Sequence, residues 1–495
     1  MNNQRKLIIG IFFVIVIVSS WLRLYQLNTG LWLDEITTYV NYARLPFGQI
    51  ATSFQSENQH FLYSLMAHAS FLLFGENNWA LRLPAVLFGI GSIGALFVSG
   101  LRVTSDIEAL LATALMAFSY QHLWFSQNAR GYTGMLFWTL LSSWLLLGAM
   151  RQKKVYLWIL FGVAAALGVY THLTMLFVIA GQFIVAGVSY FFRQDNHQRK
   201  FLMLMMLGFG LAGLLSILMH APVIQEMRTV IGGTQVSLVS EWKSPLWTAR
   251  EILMGLEVGF SGVIAAGMAV IMFAIGLISY SRSYPEVVGL FIIPPVIGAG
   301  FTIAVGHHLW PRFFFFALGF GALILIRGLM VFAEWASSIL RIPQQRRLWV
   351  GVLLSSTLIL LSALSMPFAY GPKQDYDGAL TFIQEQLRPG DQVATLSIAS
   401  NVYDDFYKTG WRTLTSLDQL NQIRSEASRT WLVYTFPEVM AAVYPDIAES
   451  IAKEFELLKE FPGTVRSGTV YVYRSDQEPG TSSELFISGH SGSGH

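Results

Sequence analysis

From Leu7 to about Met366 the chain is a succession of apolar runs, each about 16 to 24 residues long, separated by short polar connections. Runs of that length cross or nearly cross a hydrocarbon core of about 30 Å. They fall at about 7–22, 83–101, 107–122, 131–149, 155–171, 174–192, 201–220, 257–280, 286–305, 312–330 and 348–366, which predicts about eleven transmembrane helices. His60 to Phe74 is also apolar, but it is too short to span and is flanked by Asn58 and Glu76, so it reads as a helix lying along the interface. After Pro367 the pattern turns polar. Helical periods near 375–387, 401–407, 417–424 and 437–457 alternate with strand-like runs at 392–397, 430–435 and 469–473. That alternation favours a small α/β domain with a partly parallel sheet. The expected architecture is an all-α polytopic membrane domain over 1–369 with a long first outer loop at 23–82. A soluble α/β domain at 370–478 and a tail at 479–495, a flexible end or cloning remnant, complete it.

Composition sharpens this picture. Hydrophobic residues make up 54% of the 495 and charged residues only 13%, against a soluble norm of about 25%. An ordinary soluble enzyme is excluded. The net charge of +2 is spread over short loops and implies no nucleic-acid partner. With no cysteine, disulfides, thiolate metal sites and thiol nucleophiles are excluded as well.

Because charges are scarce, their placement sets the topology. Arg5 and Lys6 precede the first run without a small-residue cleavage site, so the run is a span with its N-terminus in the cytoplasm. Alternate loops then carry Arg102; Arg151, Lys153 and Lys154; Arg193, Arg199 and Lys200; Arg282; and Arg341, Arg346 and Arg347. These are the cytoplasmic loops, and eleven spans put the C-terminal domain outside. The intervening loops are rich in Trp, Gly, acid and amide residues and carry isolated arginines.

Candidate chemistry lies in those outer loops. Gly30-Leu-Trp32-Leu-Asp34-Glu35 places two adjacent carboxylates just after a span; packed against Trp32, Leu33 and Ile36, such a group is expected to be partly desolvated, which suits a general base. Arg82, Arg130, Arg312 and Arg228 fall near the outer boundary. Snorkelling to the headgroups is the plain reading of any one of them. Arg130 and Arg312 stand out, since each occupies a very short turn among aromatic, amide or imidazole neighbours, where a guanidinium fork suits a lipid phosphate. Glu57, His60, His172, His307 and His308 also share this face and could together hold a divalent metal, although no HxxxH or HxH spacing is present and hydrogen-bonding interfacial histidines explain them equally. The sequence requires no cofactor. Residues 228–250, with Gly232-Gly233, read as a mobile lid.

The segments Trp32-Leu-Asp34-Glu35, Asn58-Gln-His60-Phe-Leu-Tyr63, Ala80-Leu-Arg82-Leu-Pro84, Ser126-Gln127-Asn-Ala-Arg130-Gly-Tyr132 and Trp310-Pro-Arg312-Phe313 occur in order through the membrane part. Together they resemble the protein-mannosyltransferase and aminoarabinose-transferase-like glycosyltransferases of the bacterial inner membrane, the GT-C class of family 39 type. The chain departs from the common form at Phe61, where many relatives have proline. The resemblance implies inverting transfer of a sugar from a polyprenyl-phosphate donor to a hydroxyl on a lipid, glycan or protein acceptor at the outer face. It implies Asp34 as catalytic base with Glu35 beside it, Arg130, Arg312 and Arg82 on the donor phosphate, and Trp32, His60, Gln127, Tyr132 and Trp310 against substrate. The alternative, a transporter or flippase for a lipid-linked substrate, calls for ionisable residues at mid-membrane, and the span interiors hold almost none.

Overall fold

The computed structural model describes residues 3–152, 154–192, 198–233, 244–248, 250–251, 263–465 and 468–475. Lys153, Arg193, the start of the eighth expected span, the middle of the expected lid and the tail lie outside the described residues. The chain forms two compact units, Met1–Gly371 and Pro372–His495.

The first unit is helical. Seven of its described helices are long and apolar enough to cross a membrane: Asn3–Leu24, Asn78–Val103, Tyr132–Gln152, Gln198–Gly232, Pro285–Ala304, Pro311–Ile339 and Gln344–Tyr370. Four shorter apolar helices join them, at Phe61–Phe74, Val155–Thr171, Met175–Phe191 and Gly267–Ser283. The expected third span is where sequence and structure differ. In place of one helix over 107–122 there are two short ones, Asp106–Ala117 and Tyr120–Ser126. At 1.5 Å per residue the first reaches only about 18 Å. The break has a local cause. Ser119 caps the second helix by accepting the His122 amide, and the Ala117 carbonyl that would have continued the first helix accepts instead from the buried Arg23 guanidinium at 3.0 Å.

The helices that carry the site have capped or sterically fixed starts. Asn77 accepts the Ala80 amide at 2.9 Å and starts Asn78–Val103, which carries Arg82 in its second turn. Pro311 opens a 3-10 turn, Pro311–Ala317, that presents Arg312 ahead of the long helix Leu318–Ile339.

The second unit holds a five-stranded sheet in the order β2-β1-β3-β5-β4: β1 Gln392–Leu396, β2 Arg412–Leu414, β3 Thr430–Thr435, β4 Glu456–Phe461 and β5 Val470–Ser475. β1 runs parallel to β2 and β3, while β5 is antiparallel to both β3 and β4. The sheet is therefore partly parallel. All six residues of β3 are buried, as its continuous apolar run suggests for a central strand. The edge strands β2 and β4 do not announce themselves in the sequence. β4 carries Glu456, Lys459 and Glu460 and buries only Phe461, so its charges, which keep an edge from pairing further, also mask its strand pattern.

Candidate active site

The two acids sit in the first turn of the short helix Leu33–Thr38, which starts at the extended residue Trp32. Adjacent helical residues point about 100° apart, so Asp34 and Glu35 face different neighbours. Glu35 is fully buried and held from three sides. Arg82 donates to it through two nitrogens, Nε to Oε1 at 2.8 Å and Nη2 to Oε2 at 2.6 Å, and the Ala129 amide donates to Oε1 at 2.7 Å. Trp32 adds its own amide at 3.4 Å. The rest of the Arg82 fork reaches backbone: Nη1 donates to the carbonyls of Leu27 and Thr29 at 2.9 Å, and Nη2 to that of Gly30 at 2.8 Å. This pair joins the 27–35 segment, the helix bearing Arg82 and the 127–130 turn.

Asp34 turns toward two other guanidiniums. Arg312 Nη1 lies 3.4 Å and Arg130 Nη2 3.9 Å from the same oxygen, Oδ2. The carboxylate is largely buried, as expected, and has charged neighbours that the sequence does not place beside it. Among the described residues nothing donates to Oδ1. Arg130 is 4% exposed in its side chain and donates from Nη1 to the Asn58 carbonyl at 3.2 Å, while its Nε is buried without an acceptor. The Arg312 Nε is likewise buried without an acceptor, and its side chain remains 30% exposed. Trp310 lies under Arg312, with the guanidinium carbon 5.1 Å from the ring centre.

Several residues expected against substrate are tied into the surrounding frame. Trp32 is buried and donates from its indole nitrogen to the Asn128 side chain at 3.1 Å. Gln127 is buried and ties the 127–130 turn to the carbonyls of Arg23 and Tyr25 at 3.0 and 2.6 Å. Tyr132 is buried against Phe125, His60 and His172, with ring centres 5.0, 6.0 and 5.0 Å apart. His60 is buried too, its ring stacked on that of His172 at 4.5 Å. The chain comes too close here for a side chain at Gly131, where a Cβ would sit 2.5 Å from the Thr171 carbonyl oxygen. Of the five, only Trp310 keeps substantial exposure. Arg82, expected on the donor phosphate, is engaged by Glu35 and by four backbone or hydroxyl acceptors. Arg228 lies exposed on the helix Ile224–Gly233, outside the cluster.

The metal reading separates into two pairs. His60 stacks on His172, whereas His307 meets Glu57, Nε2 to Oε1 at 2.8 Å. Among the described residues no group of three or more His, Asp or Glu side chains could hold a metal ion. The imidazoles of the two pairs are also shifted in opposite directions. Burial, reinforced by the Arg130 cation, holds the His60 imidazole well below its ordinary value and lowers His172 to about 3, so both rings are neutral at pH 7. The hydrogen bond that His307 donates to the Glu57 carboxylate raises its pKa.

Sequence reasoning missed Arg23. Lying at the end of the first span, it is fully buried and bonded to the Ser19 and Ala117 carbonyls, Ser126 and His122. His122 in turn reaches Ser92 at 2.8 Å. Nothing in the local pattern separates this arginine from a snorkelling one, because its partners beyond its own helix lie 94 to 103 residues away.

Residues 58–225, about a third of the chain, match the family model described as dolichyl-phosphate-mannose-protein mannosyltransferase. Among solved structures, ArnT from Cupriavidus metallidurans in the apo state is similar at 13% identity and a TM-score of 0.54, covering 95% of this chain and 98% of that one. The same protein bound to undecaprenyl phosphate gives a TM-score of 0.51. The archaeal oligosaccharyltransferase AglB from Archaeoglobus fulgidus, in complex with an inhibitory peptide and a dolichol-phosphate, gives 0.53 at 11% identity, over 93% of this chain and 74% of that one. Among curated proteins none matches. With its apolar helices and C-terminal sheet, the chain shares the fold of ArnT, and about a third of it matches the mannosyltransferase family model.

Proposed function

We propose that this protein transfers a sugar from a polyprenyl-phosphate carrier to an acceptor hydroxyl, with Asp34 as base and Arg130 and Arg312 on the donor phosphate. One observation carries the proposal: two arginines converge on one carboxylate oxygen, and each retains a buried Nε–H with no acceptor. A carboxylate with two guanidiniums beside it is a site for chemistry between a proton acceptor and an anion. In the reaction, Oδ1 of Asp34 takes the acceptor's hydroxyl proton as that oxygen attacks C1 of the sugar. The bond from C1 to the phosphate oxygen breaks, its electron pair leaves with the polyprenyl phosphate, and the guanidiniums stabilise the charge that develops there. Attack opposite the leaving phosphate inverts C1. A phosphate leaves without protonation, so the site needs no general acid. Glu35 and Arg82 act as positioning residues that hold the 30–35 segment and the 127–130 turn, and therefore Asp34 and Arg130, in one geometry.

The complexes of ArnT with undecaprenyl phosphate and of AglB with dolichol-phosphate support a polyprenyl-phosphate ligand. The loop charge bias supports an extracytoplasmic site in a bacterial inner membrane, with the N-terminus inside and the C-terminal domain outside. The test is to reconstitute the protein in liposomes with undecaprenyl-phosphate-linked radiolabelled sugars and a lipid extract as acceptor. Enzyme-dependent release of undecaprenyl phosphate, with label appearing in the acceptor, is expected. Movement of intact donor between leaflets without cleavage would instead identify a flippase.

A further inference from the structure

A second cationic cleft lies toward the far end of the bundle from Asp34. The helix Tyr132–Gln152 begins beside Arg130 and ends at Arg151, 21 residues or about 30 Å later. Arg151 faces Tyr284 there, its guanidinium carbon 5.6 Å from the ring centre. On this side the helices Val263–Ser283 and Leu318–Ile339 cross in backbone contact. A Cβ on Gly276 would overlap the Ile324 carbonyl, and one on Gly328 the Met272 carbonyl. About one turn beyond the crossing the two helices line a cleft, with Ile278 and Val331 among its apolar walls and Ser279, Arg282, Ser283 and Arg327 as its polar lining.

Arg327 is anchored within the helix Leu318–Ile339, with apolar residues and glycine on both sides of it from Leu318 to Ala333. Its Nη1 donates to Glu108 at 2.8 Å and its Nε to the Ser279 hydroxyl at 2.9 Å, while the side chain stays 32% exposed. Arg282 is exposed in the last turn of its own helix. Two cations thus meet one carboxylate, and the cleft keeps a net positive charge between apolar walls. A cation against apolar walls at the end of a helix pair fits an amphiphile with an anionic head.

We propose that this cleft binds the phosphate headgroup of an anionic glycerophospholipid, with Arg282 and Arg327 on the phosphate oxygens and an acyl chain along Ile278 and Val331. A phosphodiester carries a single charge, which matches the excess, and guanidinium forks pair with phosphate oxygens bidentately. Arg282, with no structural tie to Glu108, is the residue that tests the site without disturbing the packing.

The experiment is native mass spectrometry of the intact protein in detergent, titrated with dioleoyl-phosphatidylglycerol, dioleoyl-phosphatidylcholine or glycerol 3-phosphate. Phosphatidylglycerol is expected to bind about tenfold more tightly than phosphatidylcholine, and Arg282→Gln to remove about that factor, as the loss of a charge-assisted hydrogen bond predicts. Val331→Trp, which fills the cleft, is expected to weaken phosphatidylglycerol binding as well, with both variants keeping the wild-type unfolding temperature in phosphatidylcholine. Equal binding of the two lipids, or Arg282→Gln with unchanged affinity, would overturn the proposal. Glycerol 3-phosphate binding as tightly as phosphatidylglycerol would overturn it too, because the cleft would then be a free-phosphate site.

Discussion

Around Glu35 the site is closed: Arg82 grips the carboxylate through two nitrogens, the Ala129 amide adds a third donor, and both side chains are buried. Around Asp34, one residue earlier, it is open. Its two arginines stand 3.4 and 3.9 Å away, keep buried nitrogens without acceptors, and one of them reaches solvent. Saturated partners make a group structural, because every lone pair and donor is already used. Unsaturated ones leave it able to meet a substrate. On the proposed mechanism the adjacent acids divide the work, Glu35 holding the geometry and Asp34 taking the proton.

The comparison breaks most sharply at Glu35. Glu35→Ala leaves the buried Arg82 charge without its carboxylate and is expected to cost about 3–5 kcal/mol, read as a large drop in unfolding temperature in detergent. Glu35→Leu combined with Arg82→Met removes both charges and is expected to recover much of that stability, so a double-mutant cycle isolates the pair. A mild effect of Glu35→Ala would place Glu35 in the open half. Arg130→Gln is expected to leave folding nearly unchanged and to lower the rate of transfer about a hundredfold or more, since it removes charge stabilisation that matters as the phosphate leaves. Arg312→Lys keeps the charge but loses the fork, and about a tenfold rise in KM for the donor is expected. If transfer by Arg312→Lys matches wild type, bidentate recognition has no part in it.

The smallest effect belongs to the Glu57–His307 pair. Glu57 raises the His307 pKa in the folded protein, so the pair's contribution is complete below the imidazole's ordinary value near 6.5 and is lost as pH rises through the higher folded value. Both side chains are partly exposed, which keeps the contribution small. Unfolding temperature measured from pH 6 to 9 is expected to fall slightly more for wild type than for Glu57→Gln. Parallel curves would show that the pair adds nothing.

Much of this was legible in the sequence because apolar period and charge placement are local signals. The runs at 83–101 and 131–149, the buried strand β3, and the acids and arginines of the short turns can all be read that way. Long-range partnership is not local. The break at Phe118 depends on Arg23, 94 residues before the carbonyl it takes up, and Glu35 and Arg82, 47 positions apart, look like any acid and arginine until the fold brings them together. For the same reason the ties of Trp32, Gln127 and Tyr132 to the frame are not legible in the sequence.

The division of labour between the two acids is tested most directly by purified Asp34→Asn in liposomes, assayed for undecaprenyl-phosphate binding and for sugar transfer in the same preparation. The substitution keeps the shape and removes the proton acceptor. The expected result is wild-type unfolding temperature and retained lipid-phosphate binding, with transfer lowered about 10²- to 10⁴-fold. A folded Asp34→Asn protein that transfers sugar at a rate close to wild type would contradict it.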